Sequence, residues 1–235
     1  MIAAIRSGWA PGPSTPVALA DEVHLWLVDL SEQERFAISF SRIERDRVSR
    51  LQRASDGRRF MSARSALRRI LGAYVGLEPA ALRFTIGAVG RPELAAEQAR
   101  GVRFSSSRAG DIALVAVTRE RAVGVDIERI GDASLSPTLL RLCCSPTELE
   151  VLHALPAESR DAAFVELWTR KEAVLKATGD GLRRAPDSVC VLGDVIDLGE
   201  RFTLRRIGGV DGYVASVAAK DAGWRFRRFE LEACA

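Results

Sequence analysis

Strand-like and helical stretches alternate along this chain of 235 residues, in an order that appears roughly twice. In the first half, apolar Val23–Leu30 precedes Gly57–Val75, where apolar residues recur at steps of three and four and predict an amphipathic helix. In the second half, Ala122–Ile127 precedes a helical pattern over Ala162–Thr178 and then a β-rich stretch. This order predicts an α+β fold of two similar subdomains side by side, each with a small antiparallel sheet and a long helix.

The boundary between the predicted subdomains falls near Thr118–Arg121, a polar turn between the apolar stretches Ile112–Val117 and Ala122–Ile127. We therefore expect an N-terminal subdomain over residues 1–120 and a C-terminal subdomain over residues 121–235 that carries the charged motifs described below. Two apolar stretches separated by a short turn are also typical of a β-hairpin. Two further patterns predict a helix over Pro137–Leu155 and a strand over Val189–Leu192.

Composition excludes several classes of protein. Hydrophobic residues make up 47% and charged residues 28%, as in soluble globular proteins, and no apolar run approaches the roughly 20 residues of a membrane helix. A net charge of +3 is too small to indicate nucleic-acid binding. The four cysteines match no zinc or redox spacing, so we expect reduced thiols in a cytoplasmic protein. Residues 1–16 lack a long apolar stretch, and we expect a loose leader rather than a secretory signal.

Two carboxylates share one face of the strand predicted over Val123-Gly-Val-Asp-Ile-Glu128. Alternation puts the three apolar side chains on one face and Gly124, Asp126 and Glu128 on the other. Two negative charges at this spacing repel each other unless a positive group lies between them. A polar strand face in solvent would show the same alternation, so this segment alone leaves both interpretations open.

A second charged segment, Trp168-Thr-Arg-Lys-Glu-Ala-Val-Leu-Lys176, lies in the last predicted helix. Trp168, Glu172 and Lys176 are four residues apart and form one row. A Glu172–Lys176 pair is common on helix surfaces and contributes roughly 0.2–0.5 kcal/mol. A row headed by tryptophan more often faces protein than water.

Together, Asp126, Glu128 and Glu172 would form a site with oxygen ligands only. Such a ligand set suits a hard cation, and a few carboxylates with phosphate suit Mg²⁺ better than Ca²⁺. The two histidines, His24 and His153, lie away from these motifs. Their positions argue against a zinc enzyme and against histidine as a general base.

The two segments resemble the paired motifs of the 4′-phosphopantetheinyl transferase superfamily, in particular its surfactin-synthetase type. In that family a V/I-G-V/I-D-x-E strand is followed by an F/W-S/T/C-x-K-E-A/S-x-x-K helix. Three further family elements appear in the expected order: Gly90-Arg-Pro92, Phe104–Gly110 and Ser145-Pro-Thr-Glu148. Two departures lie in the second of these, where Arg108 replaces the usual histidine and Ser105 the usual asparagine.

The resemblance implies transfer of the 4′-phosphopantetheine arm of coenzyme A to a serine of an apo acyl or peptidyl carrier protein. Mg²⁺ would be required, and adenosine 3′,5′-bisphosphate would be released. The resemblance also implies a monomer whose two subdomains pack as a pseudo-dimer. Neither nucleic acid nor a membrane is expected as a partner.

The resemblance assigns roles to residues by position. The metal ligands would be Asp126, Glu128 and Glu172. The coenzyme A site would comprise Arg47, Arg91, Pro92, Ser107, Arg108, Asp126, Lys171 and Lys176. The catalytic residues would be Glu148, Glu172 and Lys176. Glu148 matches a glutamate proposed in the family to deprotonate the serine, but Ser145 and Glu148 also have the spacing of a helix capping box.

Two alternatives remain open at this point. The protein could bind coenzyme A without transfer activity, because of the change at Arg108, and a transfer assay separates this case. It could instead be a basic nucleic-acid-binding module that uses residues 42–69. Such modules usually interleave stacking aromatics with basic residues, and here only Phe60 does so.

Overall fold

The structure is a computed structural model that describes residues 7–31, 40, 42–50, 53–87, 90–131 and 136–232. Its fold is α+β, as predicted. A five-stranded sheet runs in the order β1-β11-β2-β6-β5. Its strands are β1 (Ala10–Pro11), β2 (Glu22–Asp29), β5 (Val102–Ala109), β6 (Ile112–Arg119) and β11 (Arg225–Glu230).

A four-stranded antiparallel sheet runs in the order β7-β10-β9-β8, and β3 pairs with β4 in a small two-stranded sheet. These strands are β3 (Phe84–Ile86), β4 (Pro92–Leu94), β7 (Val123–Arg129), β8 (Val195–Asp197), β9 (Arg201–Ile207) and β10 (Tyr213–Lys220). The helices are α1 (Arg42–Ser49), α2 (Ala54–Val75), α3 (Ala96–Ala99), α4 (Pro137–Cys143), α5 (Pro146–Ala154) and α6 (Ala157–Thr178).

The two sheets pack face to face, and each carries a long helix on its outer face. One apolar core lies between the sheets and includes Leu25 and Leu114 from the first sheet and Val125 from the second. A second core lies between the first sheet and α2, and a third between the second sheet and α6. Strand β2 is buried on both faces for this reason, which explains its nearly continuous apolar sequence.

The predicted hairpin around Thr118–Arg121 is wrong. Strand β6 pairs with β2 on one side and β5 on the other, whereas β7 pairs with β10 in the second sheet. Both hydrogen-bonding edges of β6 are therefore occupied by other strands. The short turn carries the chain from one sheet to the other.

The chain also crosses between the predicted subdomains at both ends. Strand β11 pairs in parallel with β2, so one strand of residues 121–235 completes the sheet of residues 1–120, and that sheet is mixed rather than antiparallel. The expected leader is partly ordered, because β1 pairs with β11. Within it, Trp9 is buried, and its Nε1 donates a hydrogen bond to the Gly209 carbonyl at 3.2 Å.

Two smaller predictions also differ from the structure. The helix predicted over Pro137–Leu155 is divided into α4 and α5, because Ser145 leaves the helical conformation and caps the start of α5. Residues Val189–Leu192 form no strand. None of the described helices is long and apolar enough to cross a membrane.

Helix α6 lies unusually close to strand β7 at Gly124. A Cβ atom built on Gly124 would lie 1.9 Å from the Ala173 carbonyl oxygen and 2.5 Å from the Ala177 nitrogen. Both neighbours are backbone atoms and cannot rotate out of the way. Glycine at this position therefore allows the helix to pack against the strand backbone to backbone.

We predict that Gly124→Ala lowers the free energy of unfolding by about 3 kcal/mol or more. Overpacking usually costs about 1–3 kcal/mol, and this contact is tighter than most. The added methyl group would have to push α6 away from β7. Urea unfolding followed by tryptophan fluorescence measures the loss. Gly208→Ala is the matched control, since a Cβ atom at that position would have nothing within 4 Å. Equal stabilities of the two variants would contradict the close packing.

Candidate active site

Asp126 is the centre of a polar cluster where β5, β7 and α6 meet. Its Oδ1 accepts a hydrogen bond from Ser107 Oγ at 2.6 Å and lies 2.6 Å from the Lys176 Nζ. The same ammonium group donates to Ser107 Oγ at 3.1 Å and to the Val125 carbonyl at 3.2 Å. Asp126 and Lys176 are thus paired directly, and Ser107 touches both.

The strand alternation predicted for Val123–Glu128 is confirmed on both faces. The apolar side chains enter the core between the two sheets, and the opposite face of β7 packs against α6 at Gly124. Ser105 ties this strand to β5, because its Oγ accepts a hydrogen bond from the Val125 nitrogen at 3.1 Å. Asp126 is therefore held on a strand fixed on both sides.

Glu172 lies one helical turn before Lys176 on α6, and its Oε2 is 4.0 Å from the Lys176 Nζ. Burial raises the pKa of Glu172, Lys176 lowers it, and the nearby Asp126 raises it further. The net direction is upward, which means that Lys176 compensates only part of the negative charge. The cluster therefore favours additional positive charge.

One oxygen of Asp126 is suited to bind a cation. Among the described residues, no hydrogen-bond donor reaches the buried Oδ2 of Asp126. A buried carboxylate oxygen without a partner costs free energy, and a metal ion would satisfy it. The donor set of Asp126, Glu172 and the half-buried Glu128 consists of carboxylate oxygens and fits Mg²⁺.

The three carboxylates do not form a ready metal cluster. Across the residues that the structure describes, no group of three His, Cys, Asp or Glu side chains is placed to hold an ion as it stands. The Lys176 ammonium group also takes up Oδ1 of Asp126. The predicted convergence of Asp126, Glu128 and Glu172 on one ion thus stays a prediction.

Two small cavities adjoin the cluster, beside a larger one of about 740 Å³ that Lys176 also lines. The first has a volume of about 220 Å³ and is bordered by Glu172 and Lys176 on one side and by Arg91 and Pro92 on the other. The second has a volume of about 230 Å³ and is bordered by Ser107 and Arg108. They share three lining residues: Gly90, Pro92 and Ser106. A ligand could therefore run around the Gly90–Pro92 turn and reach both.

The structure brings most, but not all, of the predicted coenzyme residues to these cavities. Arg108 is exposed on β5 and lines the second cavity. Ser107 borders the same cavity, but its hydroxyl donates to Asp126. Arg47 lies on α1, and its side chain is outside the described residues.

Arg91 lines the first cavity, and its guanidinium group is engaged with protein backbone. It donates hydrogen bonds to the carbonyls of Lys176, Phe104 and Val123, the last at 3.3 Å. Burial lowers the pKa of Arg91, with a smaller contribution from Arg103. Sequence reasoning missed this backbone role, for which Gly90-Arg-Pro92 carries no signal.

The predicted phosphate contact of Lys171 does not agree with its position. Its ammonium group is fully buried, lies 2.6 Å from Oε2 of Glu148 and also donates to the carbonyls of Pro186 and Val189. Five positions along α6 separate it from Lys176, which turns it to a different face of the helix. Lys171 lines neither cavity.

Glu148 is fully buried and has a structural role at the start of α5. It completes a capping box with Ser145, whose backbone nitrogen donates to its Oε2 at 2.7 Å. Its Oε1 accepts from the Val191 nitrogen at 2.8 Å, and Lys171 supplies the counter-charge. Of the two interpretations of Glu148, the capping box is the one observed, and the role of base for the serine stays a prediction.

The serines of β5 are contacts that the sequence analysis missed or assigned differently. Ser105 and Ser107 alternate on the strand, so both side chains point toward β7. Their spacing of two residues could have predicted that both side chains lie on one face of β5. The sequence could not have predicted that this face meets β7, because that depends on how two separate sheets pack.

Known proteins of one family are similar to this chain in sequence. Residues 122–222 match the 4′-phosphopantetheinyl transferase superfamily. The chain is 34% identical to the 4′-phosphopantetheinyl transferase HetI of Nostoc sp. over 230 residues, covering 94% of this chain and 97% of HetI. It is 27% identical to a 4′-phosphopantetheinyl transferase of Bacillus subtilis, covering 68% of this chain and 69% of that one.

Among solved structures, the chain has a partial likeness to the holo-[acyl-carrier-protein] synthase of Thermotoga maritima. The sequence identity is 15%, the match covers 43% of this chain and 62% of that one, and the TM-score is 0.33. The similarity to HetI extends over nearly the full length of both chains. The protein belongs to the 4′-phosphopantetheinyl transferase superfamily.

We predict that Lys171→Met lowers the free energy of unfolding by about 3–5 kcal/mol, because it leaves the buried Glu148 charge unpaired. The measurement is urea unfolding. Lys220→Met is the matched control, since Lys220 forms a pair of the same 2.6 Å length with Glu200 at the exposed surface and should change stability little. Equal, small losses in both variants would contradict a structural role for the Glu148–Lys171 pair.

Proposed function

We propose that the protein transfers the 4′-phosphopantetheine arm of coenzyme A to a serine of an apo acyl or peptidyl carrier protein, with Mg²⁺ as the metal. The observation that carries this proposal is the cluster of Asp126, Glu172 and Lys176 beside two cavities that share lining residues. With Mg²⁺ bound by its carboxylates, such a cluster would suit a pyrophosphate, which needs positive charge and alignment. Membership of the family supports the same reaction.

In the proposed reaction, the carrier serine oxygen attacks the β-phosphorus of coenzyme A. A bond from that oxygen to phosphorus forms, and the bond between the β-phosphorus and the oxygen bridging to the α-phosphate breaks. The products are the phosphopantetheinyl serine and adenosine 3′,5′-bisphosphate. The serine proton passes to a base, and Glu172 lines the cleft where that base is needed, whereas Glu148 does not.

Asp126, Glu172 and Glu128 would hold the Mg²⁺, which would neutralise the charge of the pyrophosphate. Lys176 contributes a further positive charge at the same place and is fixed by Ser107 and the Val125 carbonyl. Preorganised charge of this kind lowers the barrier because no reorganisation is needed as the reaction proceeds.

The remainder of coenzyme A would follow the two cavities. Pro92 and the aliphatic part of Arg91 would border the adenine in the first cavity. Arg108 would bind the 3′-phosphate in the second cavity, with Arg47 on α1 as a further basic residue of this region. An arginine can hold a phosphate through two parallel hydrogen bonds.

The partner in this scheme is a carrier protein, and the protein acts as a monomer in the cytoplasm, without nucleic acid or membrane. One experiment distinguishes this function from the two alternatives, coenzyme A binding without transfer and nucleic-acid binding, because neither alternative modifies a carrier protein. Apo carrier proteins from fatty-acid, polyketide and nonribosomal peptide pathways are incubated with coenzyme A and Mg²⁺, and intact mass is measured. Addition of one phosphopantetheine supports the proposal, and no addition to any carrier contradicts it.

We predict that Glu172→Gln lowers turnover by about 10²–10³-fold, as when a group that stabilises reaction charge is removed. Glutamine keeps the size and helix propensity of glutamate, so α6 should remain folded. Turnover is measured at limiting and at saturating Mg²⁺, with thermal unfolding as the check on folding. Glu166→Gln on the same helix, where Glu166 lies 3.7 Å from Arg206 at the surface, is the matched control. Parent-like turnover of Glu172→Gln at limiting Mg²⁺ would rule out this site.

We predict that Arg108→Ala weakens coenzyme A binding by about tenfold, as expected for a hydrogen bond to a charged group. Binding of dephospho-coenzyme A, which lacks the 3′-phosphate, should change little. Isothermal titration calorimetry measures both. Arg103→Ala, also exposed on β5, should leave both affinities unchanged. Equal losses for the two ligands in Arg108→Ala would show that Arg108 does not read the 3′-phosphate.

A further inference from the structure

We infer that Arg91 is a positioning residue, whose guanidinium group holds together the three elements that carry the reactive cluster. It donates to the carbonyls of Phe104 on β5, Val123 on β7 and Lys176 on α6. Ser107 lies on the first of these elements, Asp126 on the second, and Glu172 and Lys176 on the third. This inference rests on the proposed function and concerns the same site.

Each of the three carbonyls lies where backbone lacks a regular partner. Strand β5 is the last strand of the five-stranded sheet and β7 the first of the four-stranded sheet, so each has one open edge. The Lys176 carbonyl is in the last turn of α6, where carbonyls have no partner within the helix. One planar guanidinium group therefore donates hydrogen bonds to backbone carbonyls at two sheet edges and one helix end.

These hydrogen bonds lie close in sequence to the reactive side chains. Val123 is three residues before Asp126 on β7, and the Lys176 carbonyl belongs to the same residue as the ammonium group that contacts Asp126. A shift of α6 against β7 would therefore move Lys176 and Glu172 away from Asp126. Small displacements of this kind strongly reduce reaction rates, even when the displaced contact lies outside the reacting groups.

The surrounding sequence supports this role. The turn before β4 is closed by a hydrogen bond from the Gly87 nitrogen to the Arg91 carbonyl at 2.8 Å. Gly90 adopts a φ of 79°, a left-handed conformation that suits glycine. The turn thereby aims the Arg91 side chain into the junction of the two sheets. Its Nη1 and Nη2 are engaged with backbone, so they are not the groups expected to read the coenzyme.

The test separates positioning from coenzyme contact through kcat and KM. Arg91→Met keeps an unbranched apolar stem along the cavity wall but removes all three hydrogen bonds. We expect kcat of the folded enzyme to fall by about 10–100-fold, while KM for coenzyme A stays within about twofold. Arg91→Lys, which keeps a buried cation with three donors, should lie between the parent and Arg91→Met. Arg103→Met, an exposed arginine on β5, should match the parent in both constants.

A rise in KM with kcat retained would overturn the inference, because it would mean that the guanidinium group contacts coenzyme A. Unchanged kcat and KM in Arg91→Met would also overturn it. If Arg91→Met does not fold, Arg91→Lys decides the question by the same criterion.

Amide hydrogen exchange gives a readout that does not need transfer activity. Arg91→Met, or Arg91→Lys in its place, should accelerate exchange in the last turn of α6 and along β7, and Arg103→Met should not. Unchanged exchange in these segments would overturn the inference. A parent enzyme that modifies no carrier protein would instead count against the proposed function, and the exchange result would still decide the role of Arg91.

Discussion

Backbone touches backbone where strand β7 meets helix α6, and the position of the whole charged cluster depends on this contact. At Gly124 the helix leaves no space for a Cβ atom, since the Ala173 carbonyl would lie 1.9 Å from it. Two residues further along the strand, Asp126 faces the same helix and meets Lys176 at 2.6 Å. A larger residue at position 124 would increase the distance between strand and helix, and the ion pair could not form at this length.

The two lysines of α6 lie in different environments on two sides of the same helix. Lys171 and Lys176 are five residues apart and so point in directions that differ by about 140° around the helix axis. Lys171 is closed off from solvent and neutralises Glu148, which caps α5 and holds the Val191 backbone. Lys176 lines the first of the two small cavities. The first ion pair fixes α6 against α5, and the second becomes available to a ligand.

Local patterns in the sequence predicted most of the helices and strands, but they did not predict which strands pair with each other. The periodicity of residues 57–75 and the alternation at Val123–Glu128 depend on neighbours within one element, and both appear in the structure. The pairing of β11 with β2 joins residues about as far apart as the chain allows, and nothing within either strand specifies it. The hairpin prediction failed for the same reason, because which edges of β6 are free depends on the complete sheet.

The same distinction applies to the candidate site. Asp126, Glu172 and Lys176 were identified from spacing within one strand and one helix, and the structure brings them together. Lys171 and Glu148 stand in equally suggestive motifs, but burial decides their role, and burial is set by packing between elements.

The site lies where regular structure ends. An edge strand of each sheet and the last turn of α6 meet there, and such places leave backbone carbonyls without partners. Arg91 donates hydrogen bonds to three of these carbonyls, which allows two strand edges and a helix end to lie close together. The side chains that project from these ends can then face a common cleft. The proposed function thus depends on side chains that lie where elements of both halves meet.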